Sequence, residues 1–388
     1  MWNFCKLSFN LILLLYFAFI YLGLFSMQSE FNSNNELFRF LLSLVIVQIN
    51  IIMLLNILLL QRSMRLTCLN LFVIAWICAI FICIILTSGA RFLKDLNYVL
   101  LWPLTYCYSF LLFKRGILST SKVVGIMTVL CVYSMILFGV FFTDKANENL
   151  GIINIEGMNQ IFYALLFIPW IYLNEKKEVQ NVILFILLII VFVSMKRSAL
   201  MSFSVIYLFS FLFNRNGSKY PKFLLRVSLA FVVLLAAYLF VDSYLDGGVT
   251  ERLERVEDDG GSGRTDIWMA VWHNILNSSV SEILIGHGHN TVIMSKTLSG
   301  VPLSAHNDFL EILYDYGFFL FLLFIVFSFL LWKKLFFLYK NRSPYFFSYL
   351  SSLVLFFTMT NLSHLILYPS YIVFLSFLWG MVEAKTSV

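Results

Sequence analysis

The sequence predicts an all-α polytopic membrane protein, and three observations carry that prediction. Of its 388 residues, 61% are apolar and only 12% are charged, whereas a soluble domain carries roughly a quarter charged residues. Apolar runs of about 14 to 24 residues recur along almost the whole length, each near the roughly 20 residues that one helix needs to cross a hydrocarbon core. Lys and Arg fall in short clusters between those runs, as orientation signals do. The net charge of +6 is therefore read as topology and not as a nucleic-acid surface.

In chain order, transmembrane helices are expected near 7–26, 37–60, 67–87, 98–113, 123–142, 160–173, 179–195, 198–213, 223–241, 309–331, 345–361 and 365–382, about twelve in all. The first follows a single Lys6, is longer than a signal-peptide core and has no small-x-small site behind it, so it is expected to remain as a span. With a cytoplasmic N-terminus, alternate connections carry Arg62/Arg65, Lys114/Arg115/Lys122, Lys176/Lys177, Arg215/Lys219/Lys222 and Lys333/Lys334/Lys340/Arg342, and Lys385 ends the chain on the same side. The opposite connections hold Glu30/Glu36, Asp144/Glu148/Glu156 and an acid-rich stretch over 242–308. This pattern predicts one transmembrane domain, 1–388, with both termini cytoplasmic and 242–308 as a large external loop within it. The connection with Arg91, Lys94 and Asp95 is the exception.

Within the loop, 250–259 reads as a short charged helix broken by Gly260-Gly261-Ser262-Gly263, and Arg264 follows. Beyond it Ile267, Trp268, Val271, Trp272, Ile275 and Leu276 recur at helical spacing, which predicts an amphipathic helix lying on the membrane surface with both Trp on one face. A flexible turn, Gly286-His287-Gly288-His289-Asn290, precedes Ser304-Ala305-His306-Asn307-Asp308 at the entrance to the tenth span. The six cysteines form no CxxC pair and none lies in the loop, so they are expected to be buried small apolar side chains and not disulfides or zinc ligands.

A few polar side chains stand out as candidates for chemistry. Lys196 and Arg197 fall where two short spans meet, and a guanidinium at a membrane edge either faces a wet functional cavity or snorkels to the head groups. Arg264 follows a segment that lets backbone approach a ligand, and its fork matches phosphate oxygens; a solvated loop arginine is the alternative. His306, Asn307 and Asp308 open a span, and Glu311 and Asp315 continue down one face. An imidazole or carboxylate there could take a proton from a hydroxyl, while Asn307 or Asp308 could cap the helix; the two roles are compatible. His287 and His289 make only a weak metal pair, and His273 and His364 read as structural. Two arginines and a histidine around an acidic membrane mouth suit a lipid-linked phosphate or pyrophosphate leaving group.

The ordered set Ser194-Met195-Lys196-Arg197-Ser198-Ala199-Leu200, Gly263-Arg264-Thr265-Asp266-Ile267-Trp268, Leu284-Ile285-Gly286-His287-Gly288 and Ala305-His306-Asn307 with Gly317 downstream resembles the O-antigen ligase and polymerase superfamily. The resemblance covers roughly 180–332. It implies a twelve-span enzyme of the bacterial inner membrane that transfers a glycan from undecaprenyl pyrophosphate without a metal, cofactor or nucleotide sugar. Arg197 and Arg264 look like the pyrophosphate-binding arginines and His306 like the histidine after the loop. Lys196, Asn307, Asp308, Glu311, Asp315, Gly286 and Gly288 are the expected substrate-side residues. The ligase pattern of His, then Asn, Ser or Gln, nine residues, Gly, two residues, then Gly, Thr or Tyr fits His306, Asn307 and Gly317, but Leu320 stands at its last position. That departure favours the polymerase, which joins repeat units, over the ligase, which passes the glycan to lipid A-core. For a polymerase the resemblance also implies a chain-length regulator as partner. A transporter or flippase is the alternative from another class, but the inverted repeats and broken mid-membrane helices that mark many transporters are not visible.

Overall fold

The computed structural model describes residues 2–25, 35–60, 67–87, 89–148, 158–194, 196–213, 264–294, 304–363, 365 and 369–387. The helix expected at 250–259, the span expected at 223–241, Gly263 and His364 lie outside the described residues, as do 242–263 and 295–303 of the expected loop. Among the described residues every regular element is helical. They run α1 Trp2–Phe25, α2 Asn35–Leu60, α3 Cys68–Thr87, α4 Phe92–Lys114, α5 Thr120–Glu148, α6 Phe162–Leu165, α7 Ile168–Ile171, α8 Lys177–Val193 and α9 Arg197–Leu212. Then follow α10 Arg264–Asn277, α11 Val280–Ile285, α12 Thr291–Met294, α13 Asp308–Lys340, α14 Phe346–Leu362 and α15 Pro369–Thr386.

Six of these helices (α1 to α5 and α13) are long and apolar enough to cross a membrane, and the chain is a multi-pass helical membrane protein. The single span expected at 160–173 takes a different form. A 3-10 turn at Asn159–Ile161 leads into α6 and α7, four residues each, and Phe162 to Ile171 are buried throughout. Apolarity on every side is the signature of an enclosed helix; the segment runs through the core along α15, with the Tyr371 hydroxyl against the Asn159 carbonyl and Trp170 Nε1 donating to the Phe374 carbonyl at 3.2 Å. The cysteine expectation also needs correction. Cys5, Cys83 and Cys131 are buried, but Cys68 and Cys78 are exposed, because α3 turns one apolar face outward.

The core forms where α4 and α15 pack along each other. A Cβ on Gly380 would meet the Tyr106 carbonyl oxygen, so glycine there lets the two backbones touch, as small residues do between membrane helices. Trp102, Phe327 and Trp379 fill the adjoining space, with ring centroids 5.3 and 5.7 Å apart.

Contacts between helices define two ends of the bundle. At the tail end, Lys334 Nζ pairs with Glu383 Oε2 at 2.6 Å, Lys114 Nζ donates to the Ser387 carbonyl at 2.7 Å, and Arg115 donates to the Leu60 carbonyl. Helix α1 runs antiparallel to α15, with Phe9 against Phe377 and Phe19 against Phe374, so both chain termini lie at this end. At the head end, α9 runs antiparallel to α14. Ser202 Oγ and Thr358 Oγ1 share a hydrogen bond at 2.6 Å, and Phe213 meets Phe346. The start of α9 therefore lies beside the end of α14. Leu365, just beyond α14, donates its N–H to Asp308 Oδ2 at the start of α13. The clustered cations at the tail match the alternation of charge along the chain.

The Lys334–Glu383 pair is largely shielded from water, so removing one partner strands the other charge. Lys334→Ala is expected to cost about 3 kcal/mol and to lower the unfolding midpoint of the detergent-solubilised protein, whereas Lys334→Met combined with Glu383→Leu recovers most of the loss.

Candidate active site at the head of the long helix

The head of α13 carries the acids singled out from sequence, and the structure gives each a backbone partner. Asn307 caps the helix, accepting from Leu310 N at 3.1 Å, as side-chain oxygens do at helix starts. Asp308 holds Leu365. Glu311 Oε1 accepts from Ala305 N at 2.6 Å. Asp315 binds the start of α12: Oδ2 accepts from Asn290 N at 2.8 Å, and Oδ1 from Thr291 N, Thr291 Oγ1 and Val292 N at 3.1, 2.8 and 3.2 Å. All three carboxyls are buried. The acids brace three stretches of chain against one helix.

Two residues past Asp315 the helix is broken. Gly317 has φ 74° and ψ −179°, a region open essentially to glycine alone. Gly286, which ends α11, has φ 90° and ψ 177°. The two glycines meet backbone to backbone: a Cβ on Gly317 would strike Gly286 N and Leu284 O, and one on Gly286 would strike the Asp315 carbonyl. The break leaves the Tyr314 and Asp315 carbonyls without their usual helical donors. His287 N and Gly288 N donate to them instead, at 3.1 and 2.8 Å.

His287 and His289 do not face a common point. His287 stacks on Tyr314 with centroids 4.0 Å apart; its Nδ1 donates to the Tyr314 carbonyl at 3.0 Å and its Nε2 meets Ser278 Oγ. His289 is buried, accepts from Asn290 Nδ2 on Nε2 at 3.2 Å and shares a short hydrogen bond with the Tyr316 hydroxyl through Nδ1. The HxH spacing thus serves two separate hydrogen-bond systems. His273, on the exposed side of α10, pairs with Asn277.

His306 sits between fixed neighbours. Ala305 is buried, its N–H given to Glu311 and its carbonyl accepting Trp268 Nε1 at 2.7 Å, while Asn307 is committed to the cap. His306 itself is half-buried with φ 52°, a left-handed conformation uncommon outside glycine. Arg264 opens α10 four residues before Trp268, about 6 Å along the axis, so the Trp268–Ala305 bond sets it at the same end of the bundle. Lys196 and Arg197 stand at the start of α9, also at the head end, with Arg197 exposed. Helix α10 departs from a simple surface helix. Ile267, Val271 and Ile275 face Val292, Ala305 and Tyr314, and only Trp272 of the two tryptophans is exposed.

Residues 182–325 match the family model described as O-antigen ligase. That likeness supports the O-antigen ligase and polymerase superfamily for this segment. No match to a curated protein was found for the chain. The O-antigen ligase segment runs from α8 to the middle of α13, so it contains Arg197, Arg264, His306, the three acids and both glycines. Leu320, the departure from the ligase pattern, is a core residue of α13.

Sequence reasoning passed over the floor of the site, which lies outside the O-antigen ligase segment. Cys83 Sγ donates to the Ile285 carbonyl at 3.1 Å, Thr87 lies against Gly288, and Asp95, Arg91 and Lys94 act electrostatically on His289. The one signal for this was the charge cluster at 91–95, which breaks the alternation of the other connections because it serves the head end.

Two expectations follow. Gly317→Ala places a Cβ into backbone at a glycine-only conformation, and is expected to cost about 3 kcal/mol, read as a lowered unfolding midpoint and faster protease cleavage near 284–292. Burial pushes the His289 imidazole down to about 4, with Arg91 and Lys94 adding to the effect and Asp95 opposing it. Between about pH 6.5 and pH 4 the unfolded chain binds a proton here that the folded chain refuses. Stability should fall by on the order of 3 kcal/mol as pH drops through that window and be independent of this group above it. His289→Gln should flatten the dependence in a midpoint-against-pH series.

Proposed function

We propose that this chain is a polysaccharide polymerase of the bacterial inner membrane, extending a glycan carried on undecaprenyl pyrophosphate at the membrane's outer face. The observation that supports it best is the convergence at one end of the bundle of Arg197, Arg264 and His306 within a segment of O-antigen ligase type. In this reading the chain has twelve spans, both termini cytoplasmic, and 242–308 outside.

The arginines hold the pyrophosphate of the donor. The acceptor sugar hydroxyl attacks the anomeric carbon, the bond from that carbon to the pyrophosphate oxygen breaks, and undecaprenyl pyrophosphate leaves with the electron pair. Arg197 and Arg264 stabilise the charge that builds on it. His306 takes the hydroxyl proton. Asp308, Glu311 and Asp315 are poorer candidates for the base because each already accepts from backbone N–H groups. They serve, with Gly286 and Gly288, to hold the mouth in shape. Single displacement inverts the anomeric centre. No residue role here calls on a metal or nucleotide sugar, and a chain-length regulator would be the protein partner.

A second reading, ligation of the finished glycan to lipid A-core, is favoured by the description of the matching family. Surface glycolipids of a deletion strain separate the two. Loss of the ladder to core plus a single repeat unit is the polymerase outcome; bare core with lipid-linked polymer accumulating is the ligase outcome. An unchanged ladder would remove both and favour a transporter. Arg264→Ala and His306→Asn should each reproduce the deletion, with at least about a hundredfold loss of transfer. Asparagine tolerates the left-handed backbone of position 306, so its failure would speak to the imidazole and not to the fold.

A further inference from the structure

Helix α10 has three sides. One buries Ile267, Val271 and Ile275 against the bundle. A second, carrying Asp266, His273 and Asn277, is exposed and polar. Between them runs an exposed apolar stripe, Met269, Trp272 and Leu276, at helical spacing, with Trp272 51% and Leu276 65% exposed. A helix bathed in water on its whole outer surface gains nothing by separating apolar from polar residues there. A helix lodged at the edge of a bilayer requires it.

The stripe also continues into surfaces that a membrane helix turns to lipid. Val280, 74% exposed, follows at the start of α11, and Ile285 ends it. The Ile285 carbonyl is bonded to Cys83 of α3, whose neighbours Ile82 and Leu86 are exposed. Gly317 touches Leu284, and Phe318 and Phe319 beyond it are exposed on α13. Helices α3 and α13 are both among those fit to cross a membrane.

We propose that the outer stripe of α10 and α11 is sunk in the bilayer at the boundary between hydrocarbon and head groups, in contact with phospholipid, and that this immersion sets the height of Arg264 at the level of lipid phosphates. The indole of Trp272 suits that depth. The polar side of α10 then faces water. The stripe stands on the multi-pass character of the chain and not on glycosyl transfer, so it can fail without the function failing.

The test uses the full chain in native membranes with the photoreactive residue p-benzoylphenylalanine at position 276 or, for comparison, 273. Irradiation at 276 is expected to add a phospholipid mass to the peptide containing α10, at least about fivefold more than at 273, since only the former faces acyl chains. A cross-link from 276 to another protein would overturn the proposal in favour of a protein-docking face. Equal and low lipid addition at both positions would overturn it in favour of a wet surface. Should the probe variants fail to accumulate, proteoliposomes of the unmodified chain and of Trp272→Phe, quenched by phospholipids brominated along the acyl chain, decide the matter. A smaller quenchable fraction in Trp272→Phe supports immersion, and an unchanged fraction overturns it. Neither measurement needs a glycan substrate.

Discussion

Buried carboxylates are costly unless hydrogen bonds replace their water, and the head of α13 buries three of them. Each accepts from backbone N–H groups elsewhere in the chain: Leu365 beyond α14, Ala305 before the helix, and Asn290 to Val292 at the start of α12. This requirement organises the end of the molecule. Segments far apart in sequence are drawn to one helix because that helix presents carboxyl oxygens that water does not reach.

The acids are spent on the scaffold, and the residues adjacent to them are what the scaffold presents. Ala305 is fixed on both its N–H and its carbonyl, and His306 follows directly in a left-handed conformation. A side chain in that position is aimed by its neighbours, since the backbone cannot rotate without breaking a buried bond. The arginines reach the same region from other helices, Arg264 through the Trp268 contact and Arg197 through the antiparallel seam of α9 and α14.

Much of this was legible in the sequence where the physics is local. Hydrophobic runs and the alternation of cations between them locate the long helices and sort their ends, and Asn307 reads as a cap because capping involves only the next turn. The roles of Asp308, Glu311 and Asp315 were not legible, since spacing on α13 says nothing about partners at 365, 305 and 290–292. The segment 159–171 was legible as an apolar helix but not as an enclosed one, because uniform apolarity does not distinguish a helix facing lipid from short turns surrounded by protein. The Arg91–Asp95 cluster was visible as an anomaly, but its meaning depends on the packing of α3 and α4 beneath the His289 turn. The division of α10 into protein, apolar and polar sides needed the position of α13, because periodicity alone merges the two apolar faces into one.

The contact between Gly286 and Gly317 joins the loop to the long helix where neither side chain exists. Because each Cβ would collide with the backbone of the other segment, enlarging one residue cannot be offset by shrinking its partner, which is already the smallest available. The joint therefore has no compensating pair of substitutions: each position demands glycine by its own backbone as well as by the other's approach.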